Sequence, residues 1–121
     1  YQIWITPERR GRPPRYDELQ GDADGRIEQQ ILAHPEGESG GLPIDQKIRL
    51  VLHQFPADAE RELNPRKAPA LWVQTIQGAV TLEGPPLGAG DACAIRQASS
   101  LRAQGVAGTQ LLVFELLNGF F

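Results

Sequence analysis

The stretch WVQTIQGAVTLEGPPLGAGD, residues 72–91, decides the fold because it places two short apolar runs on either side of a glycine. In the second run Val80 and Leu82 alternate with polar neighbours, which is the two-residue period of a half-buried strand. Gly78 has no Cβ and lets the chain turn tightly between the runs, and Gly84-Pro85-Pro86 ends the second one. The stretch therefore predicts consecutive strands of a small β-barrel.

Similar punctuation continues along the whole chain. Its 121 residues include 13 glycines and 10 prolines, which fall between short apolar runs and so indicate an all-β chain. We predict strands over residues 2–5, 26–33, 47–55, 71–77, 79–83, 92–97 and 110–116. Charged residues in 57–63 are typical of an exposed helix start, so a helical turn is an alternative there.

Seven strands at this spacing leave two architectures open, a β-sandwich and a closed jelly-roll barrel. Alternation over residues 48–53 places the even-numbered residues inside and the odd-numbered ones, among them Arg49 and His53, outside. Trp72 is expected to be buried against the barrel wall, and Tyr16 to anchor the N-terminal loop. The predicted interior is an apolar packed core that consists of Ile48, Leu50, Val73, Val80, Leu82, Ile95 and Leu112.

Length, charge and cysteine content restrict the class of protein. The chain fits one domain, and a net charge of −3 with a pI near 5.3 does not draw it to phosphate backbones or anionic membranes. We therefore expect neither a nucleic-acid nor a membrane partner, since no apolar run reaches the roughly 20 residues that span a bilayer. Cys93 is the only cysteine, so a packed structural thiol and a cytoplasmic location are expected.

The spacing of the quoted stretch resembles the cupin signature G-x-V-x-L-x-G-x-x-L-x-x-G-D, here Gly78, Val80, Leu82, Gly84, Leu87, Gly90 and Asp91. The opening Gln2-Ile3-Trp4-Ile5, followed by Pro7, Gly11, Pro14 and Tyr16, is similar to the segment that joins the two barrels of pirin-type bicupins. Asp24-Gly25-Arg26 and residues 44–46 and 111–116 follow in the same order, so the resemblance covers nearly the whole chain. It implies an all-β, cupin-type double-stranded β-helix, or jelly-roll barrel, over residues 21–121. Residues 1–20 are then an N-terminal strand and an Arg/Pro-rich, linker-like segment.

Metal ligands of the kind that the resemblance implies are missing from this sequence. The catalytic barrel of pirin-like dioxygenases holds one metal with imidazoles and a carboxylate. Only His34 and His53 are present, on different predicted segments, and no His-x-His pair precedes residue 72. We therefore predict no metal, no other cofactor and no catalytic residue, with His34 in a solvated loop and His53 on the surface. Asp22 and Asp24 lack the regular oxygen ligands of a calcium loop and indicate a turn.

Two hypotheses about function remain. In the first, the chain is the metal-free C-terminal cupin domain of a pirin-like protein, with a structural, dimerisation or binding role. Any dioxygenase activity of the kind that opens quercetin would then come from another barrel absent from this chain. In the second, the chain is a stand-alone, non-enzymatic cupin that binds a small molecule or a protein.

The N-terminal residues are the candidate partner contacts. Ile3 and Ile5, with Trp4 on the opposite face, form an apolar edge strand that is expected to pair with a second cupin domain or, in a homodimer, with a second copy. Phe120-Phe121 is expected to be sheltered at the same interface. Four arginines interrupted by glycine and proline indicate an extended loop that binds an acidic partner or pairs with its own acidic neighbours: Arg9, Arg10, Arg12 and Arg15.

Overall fold

The computed structural model describes residues 1–22, 24–97 and 99–118. Strands and one 3₁₀ turn make up its regular structure. They are β1 (Gln29–His34), the 3₁₀ turn (Glu38–Gly40), β2 (Leu42–Pro43), β3 (Ile48–Phe55), β4 (Ala59–Glu62), β5 (Ala70–Gln77), β6 (Ala79–Thr81), β7 (Leu87–Gly88), β8 (Ala92–Arg96), β9 (Arg102–Gly105) and β10 (Thr109–Leu116). None of the helices in this described part is long and apolar enough to cross a membrane.

The strands form two sheets that face each other in a jelly-roll arrangement. The larger sheet has the order β2-β1-β3-β10-β5-β8, and the smaller one has the order β4-β9-β6-β7. Within the described residues no ladder pairs β8 with β7, so a seam remains between these two sheet edges.

The main core lies between the sheets. Its fully buried side chains come from both of them and include Phe55, Leu71, Val73, Val80 and Leu111. Close approach of the sheets requires glycine at 105, where a Cβ would lie 2.6 Å from the Phe55 ring. Gly78 joins β5 to β6 with φ +80°, and a Cβ there would lie 2.6 Å from the Thr109 Cα.

A second apolar cluster lies on the opposite, outer face of the larger sheet. Leu50 and Leu112 are buried at its centre, and Leu52, Ile76 and Phe114 pack around them half-buried. The predicted interior is therefore correct for Val73 and Val80, and for Leu82 and Ile95 at its margin. It is wrong for the outward-facing Leu50 and Leu112, and for Ile48 beside them.

The alternation predicted on β3 is reversed. The odd-numbered residues of this strand face the interior, and His53 is only 1% exposed instead of lying on the surface. Arg49 is also buried, because Glu115 on the neighbouring strand neutralises its charge. Trp72 was expected inside and is instead 39% exposed, because its neighbours Leu71 and Val73 take the inward positions on β5.

Six of the seven predicted strands are present with slightly different ends, and the predicted strand at residues 2–5 is wrong. The described residues of 1–28 form neither strand nor helix. Isolated hydrogen bonds, not a strand ladder, connect this segment to the rest of the domain. Gln46 Nε2 donates to the Thr6 carbonyl at 2.9 Å, and prolines at 7, 13 and 14 have no backbone N–H for a ladder. Tyr16 is 83% exposed and donates to Glu18, so it does not anchor the loop.

The helical turn considered for residues 57–63 is also wrong, because Ala59–Glu62 is the edge strand β4. Glu60 and Glu62 point to solvent, while the guanidinium of Arg61 lies over the Phe55 ring at 4.1 Å from its centroid. Pairing with β9, in the register Ala59↔Gly105, holds this strand extended.

Candidate functional site

Three rows of side chains cross the inner face of the larger sheet, and they decide what chemistry its interior offers. The middle row runs across β3, β10, β5 and β8 and consists of Val51, Val113, Val73 and Cys93. The next row places His53 and Thr75 on either side of Leu111. The middle row is apolar apart from Cys93, and the polar side chains of the next row, His53 and Thr75, are separated by Leu111.

The third row ends in a buried ion pair. Arg49 donates to Glu115 on the adjacent strand, and both side chains are almost completely buried. Glu38, in the 3₁₀ turn, lies 3.5 Å from Arg49 Nε and also pairs with Arg66. Burial raises the pKa of the Glu115 carboxyl, and the Arg49 charge opposes that rise. The arrangement ties four parts of the chain together at one end of the barrel.

His34 belongs to the same end and is not the solvated loop residue that the sequence predicts. Its Nδ1 accepts backbone N–H groups from Glu36 at 3.1 Å and Glu38 at 3.4 Å, while Nε2 lies 3.3 Å from the Glu38 carboxylate. Both ring nitrogens are therefore used to hold the turn that follows β1. A histidine engaged in this way is a structural residue of the turn.

His53 is buried in the interior, where its charged form is unfavourable. Burial, together with the charges of Arg61 and Arg49, lowers its pKa to about 4. Its Nδ1 has no hydrogen-bond partner in the described part of the chain. The neutral imidazole therefore packs as a large core residue.

The donors of this interior do not fit a cupin-type metal centre. His34 follows Ala33, which pairs with Leu50, so it lies about four residues along the β1–β3 ladder from His53 and strand rise separates the two imidazoles by roughly 13 Å. Cys93 is three strand spacings from His53, or roughly 14 Å. Among the described residues no group of three or more His, Cys, Asp or Glu side chains is placed to hold a metal ion. The positive charges that lower the pKa of His53 would also repel a divalent cation.

The outer face of the same sheet carries partly exposed aromatic side chains. Leu50, Phe114 and Trp72 are aligned across three adjacent strands and form the centre of what we call the outer apolar face. Ala94 extends the row on β8 and is exposed. Aromatic side chains that are partly exposed in a contiguous apolar row are typical of a protein-binding surface.

The N-terminal segment borders this face. Ile3 and Ile5 line a groove of 360 Å³ together with Ile48, Phe114 and Leu116. Trp4 borders the same groove and is 86% exposed. All three predicted apolar contact residues therefore lie at or beside the outer apolar face, although they do not form a strand.

The four predicted arginine contacts divide into two pairs. Arg12 forms an ion pair with Asp45 at 3.2 Å, and Arg15 donates to the Pro43 carbonyl at 2.8 Å. These two tether the segment to β2 and to the loop that follows it, while Arg9 and Arg10 are exposed. The prediction for Phe120-Phe121 lies outside the described residues.

Sequence reasoning missed Trp72 and Phe114 as surface residues because apolar strand residues are usually assigned to the core. The available signal was that residues 110–116 are apolar at five of seven positions, including four in a row, which is typical of a strand that is covered on both faces. That pattern does not identify which face is open.

Comparison with known proteins places this architecture in a family. Residues 31–116 match a family model described as the quercetinase C-terminal cupin domain. A quercetin 2,3-dioxygenase of Escherichia coli (strain K12) is 28% identical over 117 residues, which are 96% of this chain and 49% of that protein.

Solved structures agree with the sequence comparison. The crystal structure of YhhW from Escherichia coli has a TM-score of 0.83 and 25% identity, and the match covers 93% of this chain and 47% of that one. The same bacterial pirin in complex with nickel(II) has a TM-score of 0.78 and 25% identity, with 93% and 48% covered. The predicted all-β cupin fold is confirmed, and the chain spans about half the length of these relatives.

Proposed function

The chain belongs to the family of quercetinase C-terminal cupin domains, and from that premise we propose that it is a non-catalytic cupin barrel without a metal site of its own. Its outer apolar face binds a second cupin barrel. The observation that carries this proposal is the contrast between a filled interior and an open aromatic row, Phe114 and Trp72, on the other side of the same sheet.

The chemistry of the interior supports the absence of a metal site. A mononuclear oxygenase centre needs several nitrogen and oxygen donors within about 2–2.5 Å of one point. Here the two imidazoles lie at opposite ends of the ladder that pairs β1 with β3. His34 already uses both ring nitrogens. Oxygenation of quercetin, the activity named for the relative, would then belong to a barrel outside this sequence.

The position of the outer apolar face supports the binding of a second barrel. The relatives are about twice as long as this chain, so they have room for a second domain of similar size. The tethered N-terminal segment lies along the edge of the face, and its Trp4 and Ile3 would extend the contact area. Burial of these aromatic side chains would supply the main free energy of association.

When the chain is alone in solution, the cupin barrel available for binding is a second copy of the same chain. We therefore propose a homodimer through the outer apolar face when no other barrel is present. A cytoplasmic location is part of this proposal, because Cys93 is a free thiol and the sequence contains no second cysteine for a disulfide.

Sedimentation velocity at tens of micromolar tests the proposed surface. We expect a dimer for the chain and a monomer for Trp72→Glu and for Trp4→Glu, because each change places a charge in the contact. Val106→Glu is the matched control, since Val106 is also exposed but lies beyond β9 on the other sheet, and this variant should remain dimeric. A monomeric wild type, or loss of the dimer in the control alone, would contradict the proposal.

A further inference from the structure

The seam between β7 and β8 contains a cavity that the proposed function does not use. Its volume is 330 Å³, and it lies where the last strand of the larger sheet faces the last strand of the smaller one. Cys93 and Ile95 form the wall on β8, Leu87 forms the wall on β7, and Leu82 lies between them. Leu101, which is almost fully buried, closes the bottom.

The walls of this cavity are held apart by the backbone. The loop that follows Leu82 is Glu83-Gly84-Pro85-Pro86, and two consecutive prolines restrict its φ angles. Thr75 N also donates to the Asp91 carbonyl at 2.9 Å, so the start of β8 is fixed against β5. The apolar walls therefore belong to two separately held sheets, and they leave a preformed space with half-buried leucine and isoleucine side chains.

The polar groups at the cavity restrict the ligand. Glu83, at the exposed rim, is a hydrogen-bond acceptor that repels anions, and the Cys93 thiol is a weak donor that lies 3.9 Å from the Ala94 carbonyl. A cavity of about 150 Å³ with apolar walls holds one benzene ring, so this one has space for two fused rings. A ligand that fills it would remove apolar surface from water on both walls.

We propose that this cavity binds a small neutral aromatic molecule of up to two fused rings that carries one hydrogen-bond donor. The rings lie between Leu87 and Ile95, over the Cys93 thiol, and the donor points toward Glu83. This site does not depend on the outer apolar face, which is on the opposite side of the larger sheet.

Alkylation of Cys93 by iodoacetamide is the readout, with 2-naphthol as the probe. We expect saturating 2-naphthol to slow alkylation several-fold and to perturb the amide signals of β7 and β8 in heteronuclear NMR spectra. We expect 2-naphthoate, which has the same rings and a negative charge, to protect at least about tenfold less effectively at equal concentration, and Glu83→Gln to reduce that difference.

Two variants fill the cavity by different amounts. Leu87→Trp should abolish protection and the signal changes, and Ile95→Phe, a smaller change at the facing wall on β8, should weaken 2-naphthol binding several-fold. Leu117→Trp is the matched control, because Leu117 is exposed beyond β10, and it should bind 2-naphthol like the wild type. Circular dichroism verifies that each variant is folded.

Two outcomes would overturn the proposal. The first is an alkylation rate and an NMR spectrum that 2-naphthol leaves unchanged in the wild type. The second is equal protection in wild type and a folded Ile95→Phe, which would mean adsorption elsewhere on the surface. Neither outcome concerns dimerisation, so the cavity and the outer apolar face are tested separately.

Discussion

The inner and outer faces of the larger sheet are both lined with apolar side chains, but they differ in how completely they are covered. On the inner face Val51, Val73 and Val113 are fully buried against the smaller sheet. On the outer face Trp72 and Phe114 are only partly covered by the N-terminal segment and their neighbours. The inner face therefore contributes most of the buried apolar contacts of the domain, and the outer face leaves aromatic side chains partly exposed.

The buried ionisable side chains of this sheet lie on its inner face, not on the partly exposed outer face. The inner face holds the ionisable residues Arg49, His53 and Glu115, while the outer row of Leu50, Phe114 and Trp72 contains none. A sheet face can bury charges when each finds a partner from another strand, as Arg49 does. In this sheet, therefore, the polarity of the side chains does not identify the face that contacts solvent.

The largest expected difference between the two faces comes from removing an aromatic side chain from each. Phe55→Ala should lower the free energy of unfolding by about 3–5 kcal/mol, because it opens a cavity between the sheets beside Gly105. Trp72→Ala should lower it by no more than about 1 kcal/mol, since that side chain already contacts water. Urea unfolding of both variants measures the difference, and equal losses would contradict the assignment of the faces.

The buried ion pair should show the next largest effect. Glu115→Ala leaves the Arg49 guanidinium buried beside Glu38 alone and should cost about 3 kcal/mol. The double variant Arg49→Met/Glu115→Leu removes both charges and should recover most of that loss. Recovery is read from the urea midpoints, and a double variant less stable than the single one would mean that the pair contributes more than charge compensation.

His53 should make stability depend on pH in a defined range. Its folded-state pKa is about 4 and its ordinary value is 6.5, so the unfolded chain binds the proton first as pH falls. Stability is fully present above pH 6.5, decreases through the range between the two values, and the loss approaches about 3 kcal/mol near pH 4. The raised pKa of Glu115 acts in the opposite direction, because the folded state then takes up a proton as pH falls.

His53→Leu isolates the contribution of the imidazole. The difference in unfolding free energy between wild type and this variant should change with pH between these two pKa values and stay constant above them. A pH-independent difference would show that His53 is accessible to water and titrates normally.

The strand positions could be predicted from the sequence because glycine, proline and apolar runs are local signals. β3, β5 and β10 were each located to within one residue at both ends. The two-residue strands β2 and β7 have too few residues for a period, and β4 was interpreted as a helix start because its charges alternate along an edge strand. Its Arg61 packs on Phe55, a contact that no local pattern reveals.

Which face is inside could not be predicted for β3 and β5. Both faces of β3 carry apolar residues, Leu50 and Leu52 on one and Val51 and Phe55 on the other, so alternation alone does not identify the inner face. Burial of Arg49 on the inner face depends on Glu115, which is 66 residues away in sequence. Trp72 is predicted to be buried against the barrel wall, but the two smaller residues beside it, Leu71 and Val73, fill the core.

We propose that the inner face forms a packed core that cannot hold a metal ion, and the metal content of the chain tests this proposal. Tag-free chain is dialysed separately against iron(II), copper(II), nickel(II) and zinc(II), followed by metal-free buffer, and then analysed for metal and for oxygen uptake with quercetin. We expect far less than one metal per chain and no quercetin-dependent oxygen uptake, with His34→Ala and His53→Leu unchanged from wild type. One equivalent of metal that disappears in His53→Leu or His34→Ala would contradict it.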